Sequence, residues 1–525
     1  MAGCMSLTNL ITAFTVFKRF VLRWILEIFF PTTKNKRVMV GIVEEQTYSG
    51  NHAPRRNLEK IDGYGQYSSE RTGVLVFHVR KDILPSAISG GGWNKGWLNY
   101  AINKSVWDNY GGSRDRAGIA GSTFALLLKR FSNIKPLLYE RAPSFGHIGA
   151  GLTLAPNGLA PLDQSDRLGL LQKLKGISQP VNGLNIYSGP SRRLVVHQSN
   201  DWYQDLYGYP LLSFERANLQ DLLVPELHRN GVDVHFGHKC VGVVDHHYNE
   251  PAVVQFEDGL EVEGDIVVGA DGGNSLLRAL TIPESRVEGG GVEHTGWTTL
   301  YGITKPLDQA PTMDQTRVVA GIGKVYGAWP LPEKRQFWFI SFKEPFPGKW
   351  PSEASIQESL DKECQGLWFP EHYGVTDTLM GDIIEKSVRV VKVPLMSGYW
   401  NATNYGRIVL IGDAAHSMVP FLAQGACQVI EDAVSLINVL RPLPSPFGLE
   451  ELLSALNRHS TTRRLRVEKV INDARFAGKI NINFSKNVLV RKLLTFGMSR
   501  MSSERMAKRV EWLYAPQNLQ LVEEA

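Results

Sequence analysis

The chain of 525 residues is 43% hydrophobic and 21% charged, the balance of a folded globular protein, which excludes long-range disorder. At roughly 150 residues per domain there is room for three or four domains, or for fewer large ones. Fifty Gly and 27 Pro follow no fixed period, which excludes collagen and gives no sign of a solenoid. The net charge of +5 is unevenly spread: residues 1–115 hold 15 Lys and Arg against 9 Asp and Glu, whereas residues 116–525 hold 42 against 43. The larger part is therefore electrically neutral and carries no nucleic-acid footprint. Four cysteines, Cys4, Cys240, Cys364 and Cys427, stand far apart with no CxxC pair. That excludes a zinc ribbon, offers no disulfide framework, makes a reducing compartment the expectation, and reads each thiol as a small buried apolar group.

In chain order, residues 7–30 (LTNLITAFTVFKRFVLRWILEIFF) are apolar but interrupted by Lys18, Arg19, Arg23 and Glu27. A spanning helix needs about 20 mostly apolar residues without such charges, and no small-residue cleavage site follows. The segment reads as a basic, apolar helix suited to a membrane surface, or as an organelle-targeting segment. The expected location is the cytoplasm or the periphery of an intracellular membrane, and not the secreted space. Arg37–Val43 and Gly73–Val79 are short strand-like runs, and no chemical motif occurs between 31 and 115.

The first motif is Ala117-Gly118-Ile119-Ala120-Gly121. Apolar residues then fall at Phe124, Leu127, Leu128 and Phe131. This spacing predicts a helix from Gly121 whose free backbone N–H groups point back at the glycines, where a phosphate can sit. A strand, Pro136–Tyr139, follows and ends in Glu140, 22 positions after Gly118. An acid at about that distance can accept hydrogen bonds from a ribose. The motif is incomplete, because Arg116 occupies the place of the first glycine. Asp108–Asp115 (DNYGGSRD) cannot form the buried apolar strand that normally feeds such a turn. Either Arg37–Val43 or Gly73–Val79 supplies that strand across a long insertion, or the first motif is defective.

The second motif, Gly264–Arg278 (GDIVVGADGGNSLLR), reads as a buried strand, a tight turn at Ala270-Asp271-Gly272 and a helix. The alternation of Val253–Glu263 around Asp258-Gly259 predicts a hairpin before it. The third motif, Gly406–Ala433, gives a strand at Arg407–Ile411, a loop at Pro420–Gly425 and a long amphipathic helix from Ala426 to Leu440. An Asp at a strand end, here Asp413, can bind a polyol, and a helix N-terminus can stabilise negative charge on a ring. His416 reads as structural and is given no proton-transfer role.

The three runs, in this order, resemble the FAD-dependent aromatic-hydroxylase family of salicylate and p-hydroxybenzoate hydroxylase types, and its fungal secondary-metabolite branch. Tyr139–Gly158 (YERAPSFGHIGAGLTLAPNG) and Phe214–Leu222 (FERANLQDL) are similar to further stretches of that family. The resemblance runs from about Ala117 to Leu440 and implies an α/β fold. That fold has a three-layer, Rossmann-like FAD-binding domain, an antiparallel substrate-binding sheet (an α+β second domain) and C-terminal helices. The implied division is an atypical extension at 1–115, a discontinuous FAD-binding domain at 116–290 and 395–445 with substrate-domain insertions near 160–215, a substrate sheet at 291–394, and helices from 446 to 525.

Residue by residue, the resemblance implies that Gly118 and Gly121 face the FAD pyrophosphate and that Glu140 holds the adenosine ribose. Gly151 would lie in the loop near the flavin and Arg216 near the phosphates. Asp271 and Gly272 would serve FAD binding and NADPH delivery, Asp413 the ribitol or pyrophosphate side, and Gly425 with Ala426 the flavin ring through backbone N–H groups. Ala423 stands where the family usually has Gly, and Cys427 where Asn is common. The implied activity is that of a monooxygenase. NADPH or NADH reduces FAD, and O2 gives one oxygen atom to a small organic substrate, by hydroxylation or epoxidation, and the other to water. Neither a side-chain nucleophile nor a metal is required, and no catalytic side chain is singled out. A polyketide, terpenoid or alkaloid intermediate is the expected substrate; a reductase or dehydrogenase without oxygen insertion, and an inactive chain, are the alternatives. Residues 296–345 read as alternating strands rich in Trp297, Tyr301, Tyr326, Trp329, Phe337, Trp338 and Phe339. These rings either floor an apolar pocket or form the core of the second domain. The oligomeric state is left open.

Overall fold

A computed structural model of the chain describes residues 73–78, 118–142, 150–164, 169–245, 250–281, 291–307, 314–345, 351, 353–370, 378–444, 446–483, 496 and 503–516. All of them belong to the compact unit Ser68–Ala525. The N-terminal segment 7–30 and Cys4 lie outside the described residues. Among the described helices, none is long and apolar enough to cross a membrane.

The three motifs meet in one six-stranded sheet. Its order is Asn404–Tyr405, Ile408–Leu410, Ile266–Gly269, Gly73–His78, Lys135–Glu140 and Asp233–Phe236. The five longer strands are parallel, and only Asn404–Tyr405 runs antiparallel at the edge. Gly73–His78 is thus a central strand, with Val74 opposite Ile266 on one side and Pro136 on the other. Of the two runs that could supply the strand missing before Arg116, this is the one that does. The backbone groups that a vacant centre would have left unpaired are bonded on both sides.

The strands are apolar on both faces because the sheet is covered on both faces. Val268 and Val409 point into a core with Phe124 and Leu127 of the helix Ile119–Phe131 and with Ile430 and Val434 of the helix Gly425–Leu440. Val267 and Leu410 point the other way, onto Val254 and Phe256. Those two residues belong to a three-stranded antiparallel sheet, Cys240–Val244, Ala252–Phe256 and Glu261–Gly264. Its turn uses Gly259 at φ +85°, as the Asp-Gly pair predicts. The first helix begins earlier than expected. Gly118 is extended (φ −65°, ψ 153°) and its carbonyl accepts the first intrahelical bond, from Ser122 N–H at 3.2 Å. Gly121 therefore sits in the first turn, not at its start.

A second sheet has eight strands in the order His416–Ser417, Ser387–Tyr399, Gly291–Thr304, Arg335–Lys343, Lys324–Leu331, Gln315–Ala320, Gly183–Ser188 and Arg193–Ser199. All neighbours are antiparallel except Gln315–Ala320 and Gly183–Ser188, which run parallel because the chain leaves the sheet between them. One face buries Leu300, Tyr326, Trp338 and Ile340 against Phe369, Met380 and Ile383. The other packs Trp297, Val325 and Leu395 against Val419, Ala474 and Ile482, the last two from the long C-terminal helix Leu449–Asn483.

A central parallel strand cannot lose a ladder bond cheaply. Leu75→Pro removes a ladder N–H from a strand paired on both sides and is expected to give insoluble or unfolded protein. Circular dichroism and thermal unfolding of that variant check this; a folded Leu75→Pro protein would remove Gly73–His78 from the sheet.

Candidate active site

Three acids of the sequence motifs stand at the carboxyl ends of parallel strands, Asp413 and Asp271 after neighbouring strands and Glu140 beyond the intervening Gly73–His78. Glu140 is the last residue of its strand, fully buried, with Oε1 accepting the Ala142 N–H at 2.9 Å. Asp271 follows its strand by two residues, and its Oδ2 accepts the Leu277 N–H at 3.1 Å, which ties the turn to the helix Leu276–Thr281. Gly272 beside it has φ +77°, a conformation that favours glycine. Asp413 is exposed on the short 3₁₀ turn Gly412–Ala414. Arg278 ties the second motif to the third: its guanidinium donates to the carbonyls of Gly273 (2.6 Å) and Ala414 (2.8 Å) and lies over the Trp400 ring at 5.2 Å. The crevice outside the carboxyl ends of parallel strands is where open α/β sheets bind ligands.

Two helix N-termini are bare at this end of the fold. Neither Gly118, before Ile119–Phe131, nor Gln424, before Gly425–Leu440, gives a side-chain cap, so the first N–H groups keep their capacity for an anion. A Cβ added to Gly425 would meet nothing within 4 Å, so the turn is open to a ligand on that side. Arg216 opens the helix Arg216–Arg229, and its N–H donates to the Ala150 carbonyl at 3.0 Å. Among the described residues no carboxylate pairs with its guanidinium. At Gly151 a Cβ would lie 2.6 Å from Phe337 Cβ, so only bare backbone lets this strand press on the second sheet. These features suit a dinucleotide: anion sites at the helix ends, a ribose acceptor, and an open backbone edge.

Sequence reasoning missed the group that holds this end of the fold in place. Glu431 and Asp432, on the Gly425–Leu440 helix, are fully buried and paired with Arg463 of the C-terminal helix at 2.7 and 2.6 Å. Arg466 makes two further bonds to Glu431, both 2.7 Å. Asp432 Oδ2 also accepts the Gly412 N–H (2.8 Å) and faces His416 Nε2 at 2.7 Å, which fixes the turn that carries Asp413. Glu431 accepts from Asn157 at 2.7 Å and Gln428 at 3.1 Å; Asn157 in turn donates to Gln424 at 3.0 Å, at the helix start. Burial disfavours both carboxylates in their charged form, but Arg463, with Arg466 on Glu431 and His416 on Asp432, holds both below the usual range. The one signal in the sequence was two adjacent acids inside an otherwise apolar helix. His416 is buried against Asp432, and the thiols of Cys240, Cys364 and Cys427 are buried.

Both departures from the family pattern can be located. Ala423 has φ +51°, ψ 36°, a left-handed conformation that costs an L-residue about 1 kcal/mol. Cys427 is wholly buried, its Sγ accepting the Ala155 N–H at 3.5 Å and lying 3.0 Å from where a Gly158 Cβ would be. Burial pushes its thiol up to about 12.

Ala423→Gly is expected to raise stability by about 1 kcal/mol, seen as a higher urea midpoint at unchanged slope. An equal or lower midpoint would mean that the loop tolerates Ala without strain. His459 is fully buried with its ring 3.0 Å from Ser435 Oγ, and burial, with Arg463 and His416 adding to it against Asp432, pushes it down to about 4. A base held below its ordinary value of 6.5 stabilises the fold above that pH, and loses the contribution as pH falls towards 4. The loss is of the order of 3 kcal/mol. Urea unfolding at pH 7 and pH 5 should show it, and His459→Gln should flatten the difference.

The FAD binding domain family matches residues 117–474. The FAD-dependent monooxygenase pynG of Aspergillus niger is 29% identical over 388 residues, 69% of this chain and 85% of its own length. The 3-hydroxybenzoate 6-hydroxylase 1 of Aquipseudomonas alcaligenes is 29% identical over 369 residues, 69% of this chain and 86% of its own. Among solved structures, HpxO of Klebsiella pneumoniae, complexed with FAD and uric acid, has a TM-score of 0.62 at 23% identity, over 76% of this chain and 96% of that one. This last likeness is one of fold. With the family match over more than half of its length, the chain belongs to the FAD binding domain family and is an FAD-dependent monooxygenase.

Proposed function

We propose that the chain binds FAD along the carboxyl edge of its parallel sheet and oxygenates a small organic intermediate of secondary metabolism. The observation that carries this reading is the meeting of two bare helix N-termini with Glu140, Asp271 and Asp413 at one sheet edge. In this reading Gly118 and Gly121 face the pyrophosphate, whose charge the helix end and Arg216 stabilise. Glu140, held by the Ala142 N–H, accepts from the adenosine ribose. Asp413 accepts from the ribitol chain, and Asp271 with Gly272 shapes the turn beside it. Gly151 lets the flavin loop lie flat, and Gly425 and Ala426 present N–H groups to the ring. FAD, when bound, supplies the redox chemistry, taking a hydride from NAD(P)H and passing electrons to O2. The N-terminus of the Gly425–Leu440 helix stabilises negative charge near it, an electrostatic role that needs no movement at the moment of reaction. The balance is substrate–H, O2, NAD(P)H and a proton giving substrate–OH, water and NAD(P)⁺. We also propose the division of the chain set out above, with strand Gly73–His78 assigned to the cofactor half.

Visible absorption of the purified full chain should show a flavin band near one equivalent. Glu140→Ala should weaken FAD binding roughly 10- to 100-fold, the range for a lost bond to a charged acceptor, in an apoprotein titration followed by flavin fluorescence. NADPH and O2 should disappear together with the appearance of an oxygenated product. Folded protein without flavin after added FAD would end this reading. NADPH oxidation with a reduced product, and no oxygen in it, would establish the reductase instead.

A further inference from the structure

We propose that Tyr514, in the last turn of the helix Ser503–Tyr514, is a positioning residue for the cofactor: its hydroxyl latches the loop Pro420–Gly425, which sets where the N-terminus of the Gly425–Leu440 helix points. This rests on the function proposed above. The hydroxyl donates to the Leu422 carbonyl at 3.2 Å. Leu422 stands three residues before Gly425, whose N–H group, with that of Ala426, faces the flavin ring in that reading. Nothing local in the sequence marks Tyr514 for this task.

The loop needs holding. Pro420–Leu422 is a single 3₁₀ turn, and Ala423 after it is left-handed at φ +51°, ψ 36°. A residue with a side chain keeps that conformation only where its surroundings over-determine it. Ala423 itself is exposed, and its N–H closes the turn on the Pro420 carbonyl at 3.0 Å. Its neighbours are gripped from elsewhere in the fold. Phe421 lies in a notch of the long helix Leu449–Asn483, where a Cβ on Gly478 would run into its ring and lie 2.6 Å from Trp297. Phe421 and Trp297 meet edge to face at 5.6 Å. Leu422 is held by Tyr514 through its carbonyl. Gln424 is held through its carboxamide, whose Oε1 accepts from Asn157 and Gln428, both at 3.0 Å.

Tyr514 is fixed in its turn. Its ring packs on the core of the cofactor half and meets Tyr203 at 5.4 Å, at right angles. Arg466 donates to the carbonyls of Trp512 (2.6 Å) and Leu513 (3.0 Å), which at a helix end have no partner within the helix. The same guanidinium binds Glu431. Residues 512–514 therefore meet the Gly425–Leu440 helix twice, through Arg466 at its second turn and through Leu422 just before its first. Loss of the Tyr514 hydroxyl alone frees the Leu422 carbonyl and lets Ala423 leave the left-handed region, which turns the N–H groups that follow. Reduced flavin carries more negative charge than oxidised flavin and depends more on those groups.

The test uses the FAD-loaded full chain and reads the reduction potential of the bound flavin in a titration against a dye of known potential. Tyr514→Phe keeps the ring and should weaken binding of reduced relative to oxidised FAD roughly 3- to 10-fold, the worth of one neutral hydrogen bond, so the potential falls. Gly478→Ala, which crowds Phe421 with the hydroxyl bond intact, should move it the same way. Tyr326→Phe is the control. It loses the same kind of bond, to the Trp368 carbonyl at 2.8 Å, in the sealed core of the second sheet, and should lower the urea midpoint while leaving the potential in place. An unshifted potential in Tyr514→Phe, or an equal shift in Tyr326→Phe, makes Tyr514 a structural residue and overturns the inference, while the monooxygenase reading stands. Should Tyr514→Phe fail to fold, Gly478→Ala decides, and an unshifted potential there overturns it. An unsubstituted chain that takes up no flavin removes the monooxygenase reading first.

Discussion

Much of this site hangs on three buried charges, Glu431, Asp432 and Arg463, and a fourth, Arg466, that is only partly exposed. Glu431 and Asp432 carry their negative charge inside the protein only because Arg463 and Arg466 of another helix stand against them. Removing Arg463 would leave the buried Asp432 with no arginine and only His416 against it, a loss of about 3–5 kcal/mol, whereas Glu431 would keep Arg466. Such a cluster is a poor way to add net stability, since desolvation consumes most of the attraction. It is a good way to fix geometry, because the carboxylate oxygens are shared among a turn, two helices and two carboxamides with little freedom left. Through Asp432 it sets the turn of Gly412, and through Glu431, Asn157 and Gln424 it reaches the start of the helix that faces the flavin position. The C-terminal helix is thereby part of the cofactor site while remaining remote from it in sequence.

What was legible in the sequence was whatever depends on local pattern. The turns at Gly118, Gly272 and Gly259, the strands with unbroken apolar runs and the amphipathic helix to Leu440 all follow from neighbours within a few residues. The central strand was legible only as one of two runs, because nothing local distinguishes an apolar stretch that pairs with partners far along the chain. The ionic cluster was not legible, since Arg463 and Arg466 sit among five arginines on one helix and only tertiary packing selects two of them. The two faces of the aromatic sheet were likewise hidden. Alternation says that Tyr326 and Trp329 differ in direction but not which direction meets solvent, cofactor or core.

The two sheets place different demands on their glycines. In the parallel sheet the glycines cluster after strands, where backbone must approach a ligand or turn sharply. In the eight-stranded sheet Gly327 lies mid-strand, where a Cβ would run into the Arg317 carbonyl and lie 3.0 Å from the Phe339 ring, and Gly151, on the strand Gly151–Leu154 of a separate three-stranded sheet, makes room for Phe337. Substitution at the first kind disturbs binding, and at the second disturbs the packing of the second sheet.

The position of Gly73–His78 also bears on how the protein is made. This strand precedes both of its partners, and one of them, Ile266–Gly269, emerges from the ribosome some 190 residues later. Parallel pairing over such separations is slow, because the chain entropy of closure is lost before the ladder forms. In the interval an apolar β segment with two open edges is available to any other strand, which makes the nascent chain dependent on chaperones and prone to aggregate when overproduced. Low temperature and slow synthesis are the conditions under which the central strand has time to wait for its neighbours.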